Sequence, residues 1–221
     1  MVQKAGLRIL NSFNNENSRN FVELCKEAGY PTDLGGYYLR QLVRSEYLHK
    51  GERGEYILGP KGRQYLASNH QASFMPRLHV MTIAAYKNDL VVLKRNQQPF
   101  LGAHEWPASA VSAAETKEAA LQRLLSERLA SAQSTDYVGV FRRIDMYDGE
   151  LFDDKFFLVH KVELDQAPIE EVINGINTCI EESRLESLKN KSRSLIDIYE
   201  FSKNPHQYQE KTYELAYDDF E

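Results

Sequence analysis

The chain has 221 residues, 42% of them hydrophobic and 27% charged, with a formal net charge of −5 at pH 7. This composition is typical of a globular protein with one large or two small domains. No run approaches the roughly 20 apolar residues of a membrane-spanning helix, and the N-terminal segment has too short an apolar core for a signal peptide. We therefore expect a cytoplasmic protein with no membrane segment.

Charge and cysteine usage add two expectations. Residues 1–70 hold 10 Lys and Arg against 7 Asp and Glu, a balance of +3, whereas the other residues hold 17 against 25, a balance of −8. This asymmetry accompanies the domain division predicted below. Cys25 and Cys179 lie far apart in stretches with helical spacing, which predicts small buried side chains in a reducing compartment rather than a disulfide.

The N-terminal part predicts three helices, a β-hairpin and a closing helix. Apolar residues recur at helical spacing over residues 4–13, a second helix starts near Asn17, and a third is capped by Thr32. Residues 47–58 form two strands with a glycine-bounded tip, and Pro60 opens the last helix. Two helices joined by a turn of about four residues make a helix-turn-helix.

Over residues 3–68, this order of elements resembles the winged helix-turn-helix family. The resemblance implies that the third helix enters the major groove of DNA, where Arg pairs with guanine edges and Gln with adenine. Cations on the hairpin suit phosphate contacts, which position a protein without specifying sequence. The predicted DNA-binding residues are Tyr37, Arg40, Gln41, Arg44, Lys50 and Arg53.

Two other interpretations of this N-terminal domain stay open. Any solvated helix face carries residues such as Arg40 and Arg44, and a balance of +3 is a weak basic footprint. Winged helices also serve as protein-interaction modules. Residues 71–75 are predicted to be a short linker to the next domain.

Residues 109–130, SAVSAAETKEAALQRLLSERLA, hold the most informative pattern of the chain. They resemble the signature of the Nudix family, which reads Gly, five residues, Glu, seven residues, Arg-Glu-hydrophobic-any-Glu-Glu-any-Gly. With Glu115 on the first Glu, Arg123, Leu125 and Glu127 fall on their positions without a gap. An ordinary amphipathic surface helix that matches by chance is the alternative.

Four positions depart from this signature. Ser109 and Ala130 replace its glycines, and Leu124 and Arg128 replace two of its glutamates. The resemblance places the divalent metal of Nudix enzymes at these glutamates. Residues four apart share one helix face, so Mg²⁺, which prefers hard oxygen ligands, meets an isobutyl group and a permanent cation. We predict a degenerate Nudix box with no catalytic residue, no metal and no cofactor.

The residues before the box extend the resemblance, which covers residues 76–165. A strand, a turn and a second strand lead into a loop that contains Pro107. The family commonly has two glycines after this proline, and here Ala108 and Ser109 replace them. Glycine permits φ > 0 and close backbone approach to a phosphate, so we expect an altered or closed loop.

Past the box, residues 136–147 and 156–164 predict two strands joined at a turn, which fits the mixed sheet of a Nudix domain. Five acidic residues crowd this hairpin: Asp145, Asp148, Glu150, Asp153 and Asp154. They are either a metal site rebuilt outside the signature or, more simply, a solvated turn. His79, His104 and His160 have no partner at ligand spacing, and His104 is in the loop where a substrate would lie.

The C-terminal region 166–221 is predicted to form helices and an acidic tail that pack on the Nudix-like domain. Apolar residues recur at helical spacing over residues 169–190, and a second helix covers residues 192–204. The tail packs over the domain, closes a pocket, mediates a dimer or frays, and these alternatives stay open.

The prediction is an α+β chain with a winged helix-turn-helix at 1–70 and, at 76–165, a Nudix-like mixed sheet sandwiched by helices. This pairing resembles Nudix-related transcriptional regulators, although their best-known members have the Nudix domain first. The resemblance implies a DNA-binding regulator whose inactive Nudix domain senses a nucleotide or ADP-ribose-like metabolite. A homodimer is expected because operators are usually paired.

The predicted ligand-binding residues are Arg95, Phe100, His104, Trp106, Arg123 and Arg128. In this prediction an aromatic ring stacks on a base, and Arg128 holds by charge the diphosphate that Mg²⁺ holds in the enzymes. Two other classes compete with it. One is a divergent hydrolase using Glu115, Glu118, Glu127 and the acidic hairpin, and the other is a scaffold that binds proteins.

Overall fold

The computed structural model describes residues 4–13, 15–68, 76–204, 208–216 and 219. The chain forms two compact units. The first, called the N-terminal unit, consists of Met1–Ser73, Gln97–Leu101 and Ala216–Glu221. The second, called the sheet unit, consists of Phe74–Asn96 and Gly102–Leu215. The linker predicted at residues 71–75 lies outside the described residues.

Helices, a hairpin and a closing helix follow one another in the N-terminal unit in the predicted order. In chain order the elements are α1 Lys4–Leu7, a 3-10 helix Arg8–Phe13, β1 Ser18–Arg19, α2 Phe21–Glu27, α3 Thr32–Arg44, β2 Leu48–Lys50, β3 Tyr56–Leu58 and α4 Pro60–Ser68. The three strands form an antiparallel sheet in the order β1-β3-β2. The second helix starts later than predicted, because the residues before it pair with β3.

Local capping sets the start of α2. The side chain of Asn20 accepts a hydrogen bond from the backbone N–H of Glu23 at 3.0 Å, and the Glu23 carboxylate accepts one from the backbone N–H of Asn20 at 3.3 Å. These reciprocal bonds form a capping box. At α3, Pro31 occupies the N-cap position predicted for Thr32, which is the first residue of the helix.

Helices α2 and α3 approach each other closely in the core of the N-terminal unit. Tyr38, Leu39 and Leu42 of α3 are buried together with Cys25 of α2. A side chain at Gly35 would collide with Cys25 Sγ, so glycine allows this separation of the two helices.

The sheet unit is built mostly from strands. In chain order its elements are β4 Arg77–Tyr86, β5 Asp89–Arg95, β6 His104–Glu105, β7 Ala108–Ala110, α5 Lys117–Arg128, β8 Ala132–Tyr147, β9 Glu150–Leu164, β10 Glu171–Val172, β11 Gly175–Ile180, a 3-10 helix Glu182–Arg184, α6 Leu195–Lys203 and β12 Tyr208–Leu215. The described strands form one mixed sheet in the order β10-β11-β5-β4-β9-β8-β12, with β6 beside β5 and β7 beside β4. The pairs β4–β9 and β8–β12 are parallel, and the other pairs are antiparallel.

Helices cover both faces of this sheet, because successive residues of a strand point to opposite sides. On one face Val80 packs against Ala120 and Leu124 of α5. On the other face Met81 belongs to the apolar cluster that contains Ile198 of α6. The α+β class and the mixed sheet between helices are confirmed. No helix in the described ranges is long and apolar enough to cross a membrane.

β8 and β9 form a long hairpin that turns at Asp148 and Gly149. Both residues have positive φ, 53° and 73°, the combination of a type I′ turn whose twist matches the flanking strands. The two strands exceed the predicted ranges 136–147 and 156–164, since cross-strand pairing continues past the apolar stretches.

The C-terminal region is mostly strand, and the helix predicted at residues 169–190 is wrong. After a turn at Ile173 and Asn174, β11 pairs antiparallel with β5, and this long-range pairing overrides the helical spacing. Cys179 lies exposed on β11 instead of buried in a helix. Helix α6 matches the second predicted helix, and the described part of the tail forms β12 at the edge beside β8.

Two adjacent glycines of α3 provide a matched test of the α2–α3 packing. Alanine in a helix interior is more favourable than glycine by about 1 kcal/mol. At Gly36 the added methyl group has room, with atoms of Arg40 and Phe21 at 3.6 Å, so we expect Gly36→Ala to raise the free energy of unfolding. At Gly35 it meets Cys25 Sγ, and overpacking costs about 1–3 kcal/mol, so Gly35→Ala should lower it. Urea denaturation followed by circular dichroism measures both, and equal shifts would contradict this packing.

Candidate functional site

Helix α5 carries most of the segment predicted to be a degenerate signature, and it packs one face against the sheet. Thr116 caps the helix by accepting the backbone N–H of Ala119 at 3.2 Å. Leu124, where the signature has a glutamate, is fully buried in a cluster with Val80 and Ala120. This position therefore belongs to the core and offers no ligand atom to a metal.

Arg123 of α5 forms hydrogen bonds with several residues of the segment that precedes the helix. Its Nε and Nη2 donate to the two carboxylate oxygens of Glu115, each at 2.9 Å. Its Nη1 donates to Ser109 Oγ and its Nη2 to the Ala110 carbonyl, both at 2.8 Å. The guanidinium that was predicted to contact a ligand is thus bonded to groups of the protein itself.

Glu115 is held as a carboxylate by these contacts. The hydrogen bonds from Arg123, together with one from the backbone N–H of Ser112 at 2.8 Å, lower the pKa of Glu115 to about 2. Glu127, the other signature carboxylate, is largely exposed and lies 3.8 Å from Arg123. The two remaining acidic residues of the signature therefore face a guanidinium.

Arg128 of α5 keeps one hydrogen-bond donor without an acceptor. Its Nη1 donates to the Ala108 carbonyl at 3.0 Å, and with the Asn174 amide oxygen turned toward it, the guanidinium also donates there at 2.8 and 2.9 Å. Its Nε is buried and has no acceptor. Burial lowers the pKa of Arg128, against the opposing effect of Glu105 and Glu127. Within the described chain, no carboxylate lies at ion-pair distance from it.

Two asparagines of the C-terminal strands complete the surroundings of Arg128. Besides Asn174, Asn177 of β11 donates to the Arg128 carbonyl at 2.5 Å. Sequence reasoning missed both because it predicted a helix there. The Asn174-Gly175 dipeptide, a turn signal, is the feature that pointed to strands.

The segment expected to be altered by its missing glycines forms strand β7. Ala108, Ser109 and Ala110 pair with β4, and both Arg123 and Arg128 donate to backbone carbonyls of this strand. Ser109 is buried. Hydrogen bonds from two guanidinium groups therefore fix the position of this strand.

Arg95 and Glu105 close the start of the loop between β5 and β6. Arg95 Nη1 donates to Glu105 Oε1 at 2.8 Å, and both side chains are mostly buried. The backbone N–H of Arg95 donates to the Ala103 carbonyl and that of Gly102 to the Arg95 carbonyl, each at 2.9 Å. The structure therefore places Arg95 at the base of this loop with a carboxylate partner.

His104 contacts the loop of residues 189–192 through its side chain and its backbone. Its Nδ1 lies 3.0 Å from the Lys189 carbonyl oxygen, and its backbone bonds to Asn190 and Ser192. Burial lowers the pKa of His79 to about 3 and also lowers the pKa of His160. Both of these histidines are neutral side chains of the sheet interior.

The two predicted aromatic ligand contacts are corrected by the structure. Trp106 is only 1% exposed, donates from Nε1 to the Leu195 carbonyl at 2.9 Å and stacks on Tyr199. Phe100 is buried and belongs to the N-terminal unit. Neither ring is open for stacking on a base in the cleft, because residue type alone does not tell which side chains the fold buries.

The acidic hairpin is solvated at its turn, where Asp148 and Glu150 are exposed, and its other three carboxylates are paired with cations. Its buried carboxylates face cations in the following pairs: Asp145 with Arg143, Asp153 with Arg77 and Lys155, and Asp154 with Arg142. Burial raises the pKa of Asp153, but the two cations outweigh this and lower it. Among the described residues, no group of three or more His, Cys, Asp or Glu is placed to hold a metal. The carboxylates of this hairpin are thus engaged by cations and do not form the set of free oxygen ligands that Mg²⁺ prefers.

The predicted DNA-binding residues share the surface of the N-terminal unit. Helix α3 carries four of them and the hairpin carries two, as follows: Tyr37, Arg40, Gln41 and Arg44, then Lys50 and Arg53. All are exposed except Gln41, which is half-buried and donates to the Tyr37 hydroxyl at 2.7 Å. The fold thus brings these side chains to the outside of one helix and one hairpin.

Comparison with known proteins identifies the fold of the sheet unit. A MutT protein from Bacillus halodurans superposes with a TM-score of 0.52 at 14% identity, over 66% of this chain and 93% of that chain. The Nudix domain of Shewanella oneidensis NrtR, complexed with ADP ribose, gives 0.50 at 15% identity, over 64% and 96%. A bifunctional NMN adenylyltransferase/ADP ribose pyrophosphatase from Francisella tularensis gives 0.51 at 10% identity, over 78% and 52%.

At these identities the likeness concerns the fold, and the sheet unit has the Nudix fold. No family model matches the chain, and no curated protein sequence matches it either. The activity of this chain therefore has to be argued from its own residues.

The pair between Arg123 and Glu115 predicts a titration that can be measured. Arg123→Met removes the largest cause of the shift, so we expect the pKa of Glu115 to rise from about 2 toward 4.5. Because folding lowers this pKa, the stabilisation by Glu115 is present above its unfolded-state pKa and is lost as the pH falls toward 2. Carbon-13 NMR of the glutamate carboxyl groups gives the midpoint. Arg128→Met, which leaves the pair intact, is the control, and a wild-type midpoint near 4.5 would contradict the pairing.

Proposed function

We propose that this protein is a ligand-responsive, DNA-binding transcriptional regulator. In this proposal the N-terminal unit is a winged helix-turn-helix, and the Nudix-fold unit binds a nucleotide or ADP-ribose-like metabolite without hydrolysing it. The observation that carries the proposal is the guanidinium of Arg128. It stands where the signature has a metal-binding glutamate, and its buried Nε lacks an acceptor.

The charges of the cleft favour an anionic ligand over a divalent metal. Arg95 is paired with Glu105 and Arg123 with Glu115, so the charge of Arg128 is left over. A guanidinium repels a divalent cation, but it forms charge-assisted hydrogen bonds with phosphate oxygens. Since both predicted aromatic contacts are buried, recognition rests on the phosphates of the ligand.

The structural neighbours supply the first probe and the second candidate function. The Shewanella domain is complexed with ADP ribose, so ADP-ribose is the probe of choice. The Francisella neighbour is named an ADP ribose pyrophosphatase, and a divergent hydrolase would use Glu115, Glu118 and Glu127. Against this alternative, the contacts of Arg123 occupy Glu115.

Exposed cations support the DNA-binding part of the proposal. Arg40 and Arg44 lie on α3, and Lys50 and Arg53 lie on the hairpin. Among the ion pairs formed by the described residues, these four cations take no part. This arrangement suits a helix in the major groove with a wing against phosphates. A homodimer is part of the proposal because operators are usually paired.

Calorimetric titration of the full chain with ADP-ribose tests the ligand-binding part. We expect binding in EDTA, because Arg128 supplies positive charge without a metal. Arg128→Ala should weaken binding at least about tenfold, since hydrogen bonds to charged groups contribute about 1.5–3 kcal/mol. Arg184→Ala, which removes an exposed cation of the second 3-10 helix, should leave the affinity unchanged.

The same preparation distinguishes the hydrolase. Release of products from ADP-ribose that requires Mg²⁺ and disappears in Glu127→Gln would replace the sensor with an enzyme. Equal affinities of wild type and Arg128→Ala would also contradict the proposed site.

Electrophoretic shift of the upstream DNA of its own gene tests the DNA-binding part, at about 0.1 M salt and with unrelated DNA as competitor. We expect a shift that survives the competitor. Replacing Arg40 and Arg44 by Ala should abolish the shift that survives the competitor. The salt dependence of the remaining non-specific binding should fall by about one unit of slope for each phosphate that is no longer bound. Arg8→Ala, an exposed cation of the first 3-10 helix, should bind like wild type.

A protein partner for the N-terminal unit is the outcome that would contradict DNA binding. Val22, Leu34 and Tyr37 are 67%, 40% and 44% exposed, and such apolar side chains suit a protein surface. If no specific shift occurs and a partner binds wild type and the double variant alike, the unit is an interaction module.

A further inference from the structure

The segment Gln97–Leu101, called here the connector segment, passes from one unit of the chain into the other and back. Its residues belong to the N-terminal unit, whereas the residues on either side, Phe74–Asn96 and Gly102–Leu215, belong to the sheet unit. It is the loop that leaves β5 at Arg95 and returns to β6. At this point Arg95 of the sheet unit and Gln97 of the N-terminal unit are therefore only two residues apart in the chain.

The tip of the connector segment is anchored by a buried arginine of α4. Arg63 is 1% exposed, and its Nη1 lies 2.9 Å from Gln98 Oε1 and 3.5 Å from the Pro99 carbonyl oxygen. Gln98 Nε2 donates to Asn17 Oδ1 at 2.6 Å, and Phe100 is buried. A displacement of Gln98 would therefore disturb α4.

The base of the connector segment is held by charges that also act on the ligand cleft. Arg95 and Glu105, called here the neck pair, are 2.8 Å apart. Asn174 links Arg128 to this segment, because its amide oxygen accepts from the Arg128 guanidinium and its backbone carbonyl accepts from the backbone N–H of Asn96, next to Arg95, at 3.0 Å. Glu105 raises the pKa of Arg128 and Arg95 lowers it, so both members of the neck pair also act on Arg128 through their charges. Any anion bound at Arg128 therefore attracts Arg95 and repels Glu105.

We propose that the connector segment couples occupancy of the cleft to the N-terminal unit, with the neck pair as its switch and Gln98 as its anchor. This proposal rests on the proposed function. A phosphate-bearing ligand at Arg128 competes with Glu105 for Arg95 and loosens the neck pair. The ligand then favours the arrangement in which Gln98 no longer holds Arg63, and such differential affinity for two arrangements is what coupling requires.

Amide hydrogen exchange of the full chain tests the coupling without depending on the identity of the ligand. Glu105→Gln removes the charge of the neck pair, so we expect the amides of α4 to exchange about tenfold faster. Glu150→Gln makes the same chemical change at an exposed turn of the same unit and should leave α4 unchanged. In a Gln98→Ala background, adding Glu105→Gln should produce no further change in α4.

Two results would overturn the proposal. One is faster exchange at Gly102 and Ala103 in Glu105→Gln with α4 unaffected. The other is the same acceleration of α4 with and without Gln98. If Glu105→Gln does not fold, as judged by circular dichroism, Arg95→Lys is the second variant, since it weakens the same pair while keeping the charge.

Addition of ADP-ribose separates this proposal from the proposed function. We expect it to change exchange in α4 of wild type but not of Gln98→Ala, while calorimetry shows equal binding to both. Binding with no change in α4 overturns the coupling alone. Absence of binding overturns the sensing function, and the Glu105→Gln result still decides the coupling.

Discussion

Two guanidinium groups on helix α5 hold the strand that precedes it against the sheet. Arg123 donates to the Ala110 carbonyl and Arg128 to the Ala108 carbonyl, so residues 108–110 lie as β7 beside β4. The Nudix signature has glutamates and glycines in this region. At the aligned positions this chain has Ser109, Leu124 and Arg128, of which Leu124 is buried in the core and Arg128 contributes a positive charge to the helix.

Several partly or fully buried charges of the sheet unit are matched in pairs, and Arg128 is not. Arg123 pairs with Glu115, and Asp145, Asp153 and Asp154 of the β8–β9 hairpin pair with neighbouring cations. For the fully buried pair of Arg143 and Asp145, removing one partner leaves an uncompensated charge and costs about 3–5 kcal/mol. The paired groups are therefore committed to structure. Arg128 has neutral oxygens around it and a buried Nε–H without an acceptor, so its charge is not matched by a neighbouring carboxylate, and the proposed ligand would supply the missing negative charge.

Elements set by local interactions were predictable from the sequence. The Asp148-Gly149 turn, the hairpin of the N-terminal unit and the helical spacing of α5 depend on residues close together in the chain. The helix predicted at 169–190 failed because β11 pairs with an edge of the sheet supplied by β5, far earlier in the chain. Apolar spacing of four residues fits either structure, and tertiary pairing decides between them.

The placement of the two arginines on α5 was predictable from the sequence, and the burial of the aromatic residues was not. The register of the signature places Arg123 and Arg128 on α5 without any knowledge of the fold. Trp106 and Phe100 were wrong as ligand contacts because burial depends on which elements pack together, and α6 covers Trp106. The same limit applies to Asn174, which reaches Arg128 only through the β10–β11 turn.

The most direct test of the account is the ¹H–¹⁵N resonance of Arg128 Nε during titration with ADP-ribose in EDTA. We expect a saturable shift of this resonance, because a phosphate bound at the guanidinium changes the electric field at Nε, while the resonance of Arg123 Nε, already bonded to Glu115, moves little. An unmoved Arg128 resonance at saturating ADP-ribose, or turnover of ADP-ribose once Mg²⁺ is added, would contradict a metal-free sensor.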